Sequence, residues 1–190
     1  MVVIVISGMP GCGSSTTAKL LAEKLGLAHY SVGDYNKSHA SIGNETQKSI
    51  TMWTGLKGKL LRKFHVDSDK IARQVAKGGN VVIDGKIAIR MIKGKYDLSV
   101  WLKTDEKIRA ERYAERDSAT IKISTENLLK KEKLERKNFR RIYGFDYFDQ
   151  EKEADLVIDT GSKTPEEIVE EIIVKGKEKG VLKTLENTSH

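Results

Sequence analysis

The chain opens on an apolar run, Val2-Val3-Ile4-Val5-Ile6, too short to cross a membrane; its β-branched content predicts a buried parallel strand. A helical pattern follows, with Ala18, Leu21, Ala22 and Leu25 at i, i+3, i+4 and i+7, and Gly26 as its stop. Residues 27–32 predict a second strand, punctuated by Gly33-Asp34, with Asp34 placed to cap the next helix. That helix is weakly patterned through residues 38–47, and residues 48–64 mix Trp53, Leu56, Leu60 and Leu61 with glycines and lysines in no regular period. Residues 67–77 predict a helix closed by Gly78-Gly79, and residues 80–85 a buried strand ending in Asp84-Gly85. A further strand is expected over 96–102, then a helix opened by Thr104-Asp105-Glu106 and a long charged helix over about 124–143, broken by Gly144. Residues 155–160 read as the last strand. Thr164-Pro165-Glu166-Glu167 forms a capping box with proline at the first helical position, and Ile168, Ile172 and Ile173 form that helix's apolar face. Beyond Gly180 the polar tail, residues 181–190, is expected to fray.

Short apolar strands alternating with helices predict an α/β fold: three layers, α/β/α, around a central five-stranded parallel sheet. Ligands of such sheets bind at the carboxyl ends of the strands. The loop after the first strand, Gly33-Asp34 and Asp84-Gly85 all fall at such ends.

Composition narrows the class. The chain has 190 residues, 38% hydrophobic and 32% charged, enough for one well-buried domain. The first apolar run lacks a basic leader and no stretch is long enough to span a bilayer, so neither a secretory signal nor a membrane role is expected. A single cysteine, Cys12, has no disulfide partner, which points to a reducing cytoplasm. The formal net charge of +7 suits nucleic acid, a membrane surface or anionic small substrates. Its cations are interspersed with acids, so a solvated surface with local basic pockets is the simpler reading.

The chemistry concentrates in Gly8-Met9-Pro10-Gly11-Cys12-Gly13-Ser14-Ser15-Thr16, between the first strand and the first helix. Strand, glycine loop and helix are the context that a phosphate loop requires; the loop's N–H groups and the helix N-terminus together suit a di- or triphosphate. The pattern G-x-x-x-x-G-K-[ST] fits except that Ser14 stands where lysine belongs. Ser15 can still offer a hydroxyl to a magnesium ion. The competing readings are a glycine-rich turn in a βαβ unit and a loop that no longer binds nucleotide. Asp84, at a strand end, is either a carboxylate ordering magnesium through water or the first residue of a turn. Arg109, Arg112 and Arg116 share one helix face; they are either a solvated stripe paired with nearby glutamates or, if that face looks at the loop, phosphate ligands.

In combination these segments resemble the archaeal-type cytidylate kinases, within the P-loop nucleoside monophosphate kinases. The resemblance is carried by Ser7–Thr16, Val82-Ile83-Asp84-Gly85-Lys86, Val100-Trp101-Leu102, Ile108–Arg112, Tyr143-Gly144-Phe145-Asp146 and Asp155–Thr160. Hydroxyl residues in place of the loop lysine are a feature of the archaeal members, so Ser14 agrees with it. The resemblance implies transfer of the ATP γ-phosphoryl group to CMP, and to dCMP, with Mg2+ as the accompanying ion. It implies ATP phosphates in the loop, magnesium on Ser15 and through water on Asp84, and an acceptor held by a segment over about 34–75. A lid region over about 109–143 would bring Arg109, Arg112, Arg116 and Arg136 over the transferring group. Asp34, Lys37 and Lys86 would serve the acceptor, with lysine at 37 and 86 where the family commonly has arginine. The rivals are a kinase for AMP, UMP or another small acceptor, a silent nucleotide-binding module, and a basic nucleic-acid binder. The partners expected are small nucleotides, with neither membrane nor nucleic acid.

Overall fold

The structure is a computed structural model that describes residues 1–37, 45–55 and 58–182; at Lys37 only the backbone is described. The expectations for residues 38–44 and for the tail from residue 183 lie outside the described residues. Five strands, β1 (Val3–Gly8), β2 (Ala28–Ser31), β3 (Val81–Asp84), β4 (Leu98–Lys103) and β5 (Leu156–Asp159), form one sheet in the order β2-β3-β1-β4-β5, every pair parallel. Alternate residues of the same strand enter two separate cores. Val3, Val5, Val81, Ile83 and Trp101 pack with Leu61, Ala72, Ala76 and Phe139, whereas Ile4, Ile6, Val82, Val100 and Leu102 pack with Ala18, Leu21, Ile168 and Ile172. Burial on both faces is why the central strands β1, β3 and β4 are largely apolar runs, and it makes the molecule the three-layer α/β/α fold expected from them.

One outer layer holds α1 (Ser14–Leu25) and α8 (Pro165–Glu178). Helix α1 ends at Gly26, which turns left-handed and donates to Ala22 and Glu23 carbonyls, and α8 begins with the complete Thr164–Glu167 capping box. The other layer draws on α4 (Gly58–Gly78), the short α5 (Ala88–Met91) and α7 (Ile121–Tyr143), with α6 (Glu106–Asp117) packed on α7. No described helix is long and apolar enough to cross a membrane.

Two expectations are corrected. The irregular stretch after residue 48 is helical wherever it is described, in α3 (Glu45–Gly55) and in α4, which starts nine residues before the predicted helix. Its inward face carries His65, Ser68 and Asp69 between Leu61 and Ala72, all buried, so polar residues interrupt the apolar period that would have announced it. Asp34 lies inside α2 (Val32–Lys37) instead of capping it; its N–H donates to the Ser31 hydroxyl at 3.2 Å, so Ser31 does the capping.

Candidate active site

The carboxyl ends of β1, β2 and β3 lie in register, with Ile6 and Ser31 both opposite Asp84. Parallel pairing with neighbours on both sides thus places the loop after β1 beside the acid that ends β3. The Ser15 hydroxyl donates to Asp84 Oδ1 at 2.7 Å, Ser31 donates to the same oxygen at 3.3 Å, and His29 Nε2 lies 2.8 Å from Oδ2. Asp84 is 3% exposed. A buried carboxylate needs such partners, since leaving one unpaired costs several kcal/mol. The turn reading of Asp84 is therefore replaced by a built carboxylate centre on the phosphate loop.

The loop is held from outside. Gly8 pairs with Leu102 of β4, and Met9 N–H donates to the Leu102 carbonyl at 3.1 Å. Gly11 and Gly13 have φ of 82° and 87°, and Gly13 is the residue before α1. A Cβ on Gly11 would also meet Arg109 and Tyr113 at 3.1–3.2 Å. The first-turn N–H groups of α1, on Ser14, Ser15 and Thr16, have no intrahelical acceptor by geometry and are available to an anion. Cys12 is fully buried, and burial pushes its thiol up, so it fills space and is not a low-pKa nucleophile.

The α6 arginine face does look at the loop, yet its members differ. Arg112 donates to the Gly11 carbonyl at 3.4 Å and to Thr160 Oγ1 and carbonyl at 2.9 and 2.6 Å, and Thr160 Oγ1 donates to the Cys12 carbonyl at 3.1 Å. Arg112 thereby clasps the loop to the end of β5. Arg116 pairs with Asp117 and stacks over Tyr113. Both line the cavity described below. Arg109 and Arg136 do not. Arg109, 6% exposed, bonds Glu132 at 2.8 Å and reaches the Pro10 carbonyl at 3.4 Å; Arg136 grips Asp146 at 2.5 Å beside Arg140. Burial opposes ionisation of Asp146, but the hydrogen bonds from Arg136 and the Phe148 N–H, with the charges of Arg136 and Arg140, together outweigh it and hold the carboxyl below its ordinary range. In this structure each is paired with a carboxylate that ties α7 to a neighbouring segment.

A cavity of about 590 Å³ runs along these groups. Gly8, Pro10 and Gly11–Thr17 line it with Asp84 and Lys86, and Asp34 and Asn36 join them from α2. Trp53, His65, Asp69 and Phe139 form a part of the wall that sequence reasoning did not find. Trp53 stacks on His65 with centroids 4.5 Å apart, and Phe139 meets Trp53 edge-on at 4.9 Å. The only signal for His65 and Asp69 was the polar interruption of the α4 period. Lys86, expected among the acceptor residues, lines the cavity with its ammonium on the Gly8 carbonyl, 3.1 Å away.

Two wall groups titrate unusually. Burial lowers His65 from 6.5 to about 4, and burial raises Asp69 from 3.8 to about 6, opposed by a hydrogen bond from Tyr143. His65 is thus a neutral ring at working pH. Between pH 6.5 and about 4 the unfolded chain takes up a proton on His65 that the folded chain refuses, so stability falls on acidification. Asp69 acts in the opposite sense, its folded state holding a proton between pH 3.8 and about 6. His65→Phe keeps the stack on Trp53 and removes the first effect alone. Urea unfolding at pH 7 and pH 5 should show a pH-dependent loss about 2 kcal/mol smaller in the variant. Equal losses would show that His65 is not held neutral.

Ser15 and Asp84 offer hard oxygen donors, the class a magnesium-like ion prefers, and among the described residues no cluster of three or more His, Cys, Asp or Glu could hold a metal by itself. That donor set fits an ion carried mainly by substrate phosphates and waters. Phosphate loop, adjacent strand-end carboxylate and enclosing helices define the P-loop phosphotransferase class.

Comparison with known proteins narrows this. A P-loop family model described as an AAA domain matches residues 4–138. The chain is 33% identical over 163 residues to the cytidylate kinase of Methanococcus vannielii, covering 83% of this chain and 90% of that one. It is 35% identical to the cytidylate kinase of Ignicoccus hospitalis, covering 90% and 97%. Solved structures share the fold at lower identity. The shikimate kinase of Aquifex aeolicus has a TM-score of 0.55 at 21% identity, covering 94% of this chain and 98% of that one. A gluconokinase from Sinorhizobium meliloti has 0.59 at 18%, covering 91% and 90%. The chain belongs to the archaeal cytidylate kinase family and is an ATP-dependent phosphotransferase of the nucleoside monophosphate kinase class.

Proposed function

We propose that this kinase transfers the γ-phosphoryl group of Mg-ATP to CMP, and to dCMP, giving the diphosphate and ADP. The observation that carries the reading is the Ser15–Asp84 hydrogen bond at 2.7 Å, which joins a lysine-free phosphate loop to a carboxylate suited to magnesium. Ser15 would ligate the ion and Asp84 would order its waters. An ion held there would supply positive charge to offset that of the donor phosphates. The loop's unpaired N–H groups, those of Ser14, Ser15 and Thr16 at the start of α1 among them, would hold those phosphates. Arg112 and Arg116 face the transferring charge from the cavity wall, and Arg109 and Arg136 keep their helices in place behind them.

The acceptor identity is supported by the relatives' names and by the chemistry of the aromatic wall. Trp53 and Phe139 offer apolar contact to a base, and Asp69 and Asn36 bring hydrogen-bond acceptors to the same cavity. Asn36 Oδ1 and His65 Nε2 are buried with no hydrogen-bond partner. A base edge that presents an amino group suits acceptors, as cytosine does; uracil presents a carbonyl there and would leave oxygen facing oxygen. Asp34 lines the same cavity, and the side chain of Lys37 lies outside the described residues.

Coupled ADP release with Mg-ATP and CMP, dCMP, UMP or AMP in turn tests this. CMP and dCMP should turn over at least about tenfold more efficiently than UMP, the discrimination expected when one buried polar contact is lost. Preference for AMP or UMP would move the acceptor and keep the chemistry. ATP binding with no diphosphate from any monophosphate would leave a silent binding module.

A further inference from the structure

A phosphate loop ordinarily contacts the outer phosphates with its own lysine, which contributes a full positive charge at the point where charge shifts. Position 14 carries serine here, whose hydroxyl supplies no charge. Among the described cavity-lining residues the candidates for a substitute are few. Arg112 is committed to Thr160 and the Gly11 carbonyl, Lys163 to Glu171 at 2.5 Å, and Lys131 to Glu135 and the Tyr113 hydroxyl. Arg116 is engaged with Asp117.

Lys86 differs. Its ammonium donates to the carbonyl of Gly8, the first glycine of the loop, at 3.1 Å; like Arg112 it has no carboxylate partner among the described residues, but Arg112 is tied down by three hydrogen bonds and Lys86 by this one. A cation held on a neutral carbonyl keeps most of its charge available to an arriving anion. Its backbone is fixed from two sides. Buried Gln150 donates to the Lys86 carbonyl at 2.8 Å, and Ser7 donates to the carbonyl of Gly85 at 2.7 Å while accepting from Ile89 N–H. The stem therefore leaves a rigid point at the end of β3, beside Asp84, and ends on the loop. Such preorganisation is what electrostatic stabilisation of a transferring group requires.

We propose that Lys86 supplies, from the end of β3, the phosphate-contacting cation that position 14 lacks. Resting on the phosphoryl-transfer reading above, it leaves the Gly8 carbonyl for an oxygen of the γ-phosphoryl group when ATP enters the loop. During transfer the acceptor phosphate oxygen forms the new P–O bond as the bond to the ADP β-phosphate oxygen breaks. The ammonium keeps its protons throughout and offsets charge only. This assigns Lys86 to the donor side, whereas its place after Asp84-Gly85 suggested the acceptor.

The test moves the cation back to where other phosphate loops carry it. Steady-state kinetics on Lys86→Ala, Ser14→Lys and the double variant S14K/K86A, varying ATP and CMP separately, should show kcat about a hundredfold lower in K86A with the KM for CMP nearly unchanged. The double variant should regain at least tenfold of that loss. Calorimetric titration supplies a readout without turnover. K86A should lose the preference of the wild type for ATP over ADP, and S14K/K86A should restore it. A raised KM for CMP at unchanged kcat in K86A would assign Lys86 to the acceptor and overturn the proposal. A double variant no better than K86A in either measurement would also overturn it. If the wild type turned over no monophosphate, the transfer reading would fail by itself, and the ATP-against-ADP titration would still decide the role of Lys86.

Discussion

Asp84→Asn is expected to lower kcat by about two to three orders of magnitude while leaving the protein folded. The side chain is nearly isosteric, and the β3 backbone that carries it pairs with β1 and β2 whatever the side chain. What changes is charge and donor pattern. Asp84 accepts from Ser15 and Ser31 and lies against His29, so an amide turns an NH2 toward at least one hydroxyl or the imidazole. It also removes the negative charge that would hold metal-bound waters. The apparent affinity for Mg2+ should fall about ten- to a hundredfold, as when an outer partner of a metal site is lost. ADP release measured across a magnesium titration, with a circular-dichroism melt on the same sample, checks both halves. A kcat within threefold of the wild type, at any magnesium concentration, would remove Asp84 from the mechanism.

Gly8→Ala should be the most damaging single methyl in the phosphate loop. A Cβ on Gly8 would lie 2.4 Å from the Leu102 carbonyl oxygen and 2.6 Å from Cys12 Sγ. The first clash is with backbone, and that carbonyl also accepts from Met9 N–H, so neither side can move without opening the β1–β4 pairing. A cost of about 3 kcal/mol is expected, the upper part of the range for an overpacked core. For a chain of this size that is a fall in melting temperature of about 6–12 °C. ATP affinity should fall with it, because the displaced segment is the one that curls around the phosphates. Gly13→Ala provides the contrast. Its Cβ would meet nothing within 4 Å, but its φ of 87° is left-handed, so about 1–2 kcal/mol of backbone strain is the whole effect. Comparable melting temperatures for the two variants would show that the Leu102 contact is not what demands glycine at position 8.

The sequence was most legible where one periodicity dominated. The strand β1, the helix α1 with its Gly26 stop, and the Thr164–Glu167 capping box all follow from contacts within a few residues, so local pattern carries them. The central strands β1, β3 and β4, buried on both faces, also announced the parallel sheet, because they left no polar side to read as solvent-facing. The first nine residues of α4 were missed because its inner face carries His65, Ser68 and Asp69, and a rule that equates burial with apolarity is blind to a polar lining.

By itself, the sequence determined the α/β class, the position of the phosphate loop, the absence of its lysine and the acid at the end of β3. Each depends on residue type and short-range spacing. Tertiary structure alone decided which charges meet the cavity. Arg109, Arg112 and Arg116 are equivalent by helical spacing, yet one is buried on Glu132, one clasps Thr160, and one stacks on Tyr113. Whether Lys86 faces acceptor or loop was likewise set by the Gly8 carbonyl, seventy-eight residues away in the chain. Spacing says which side chains share a face, but a charge's partner depends on what the fold packs against that face, and those partners come from distant segments.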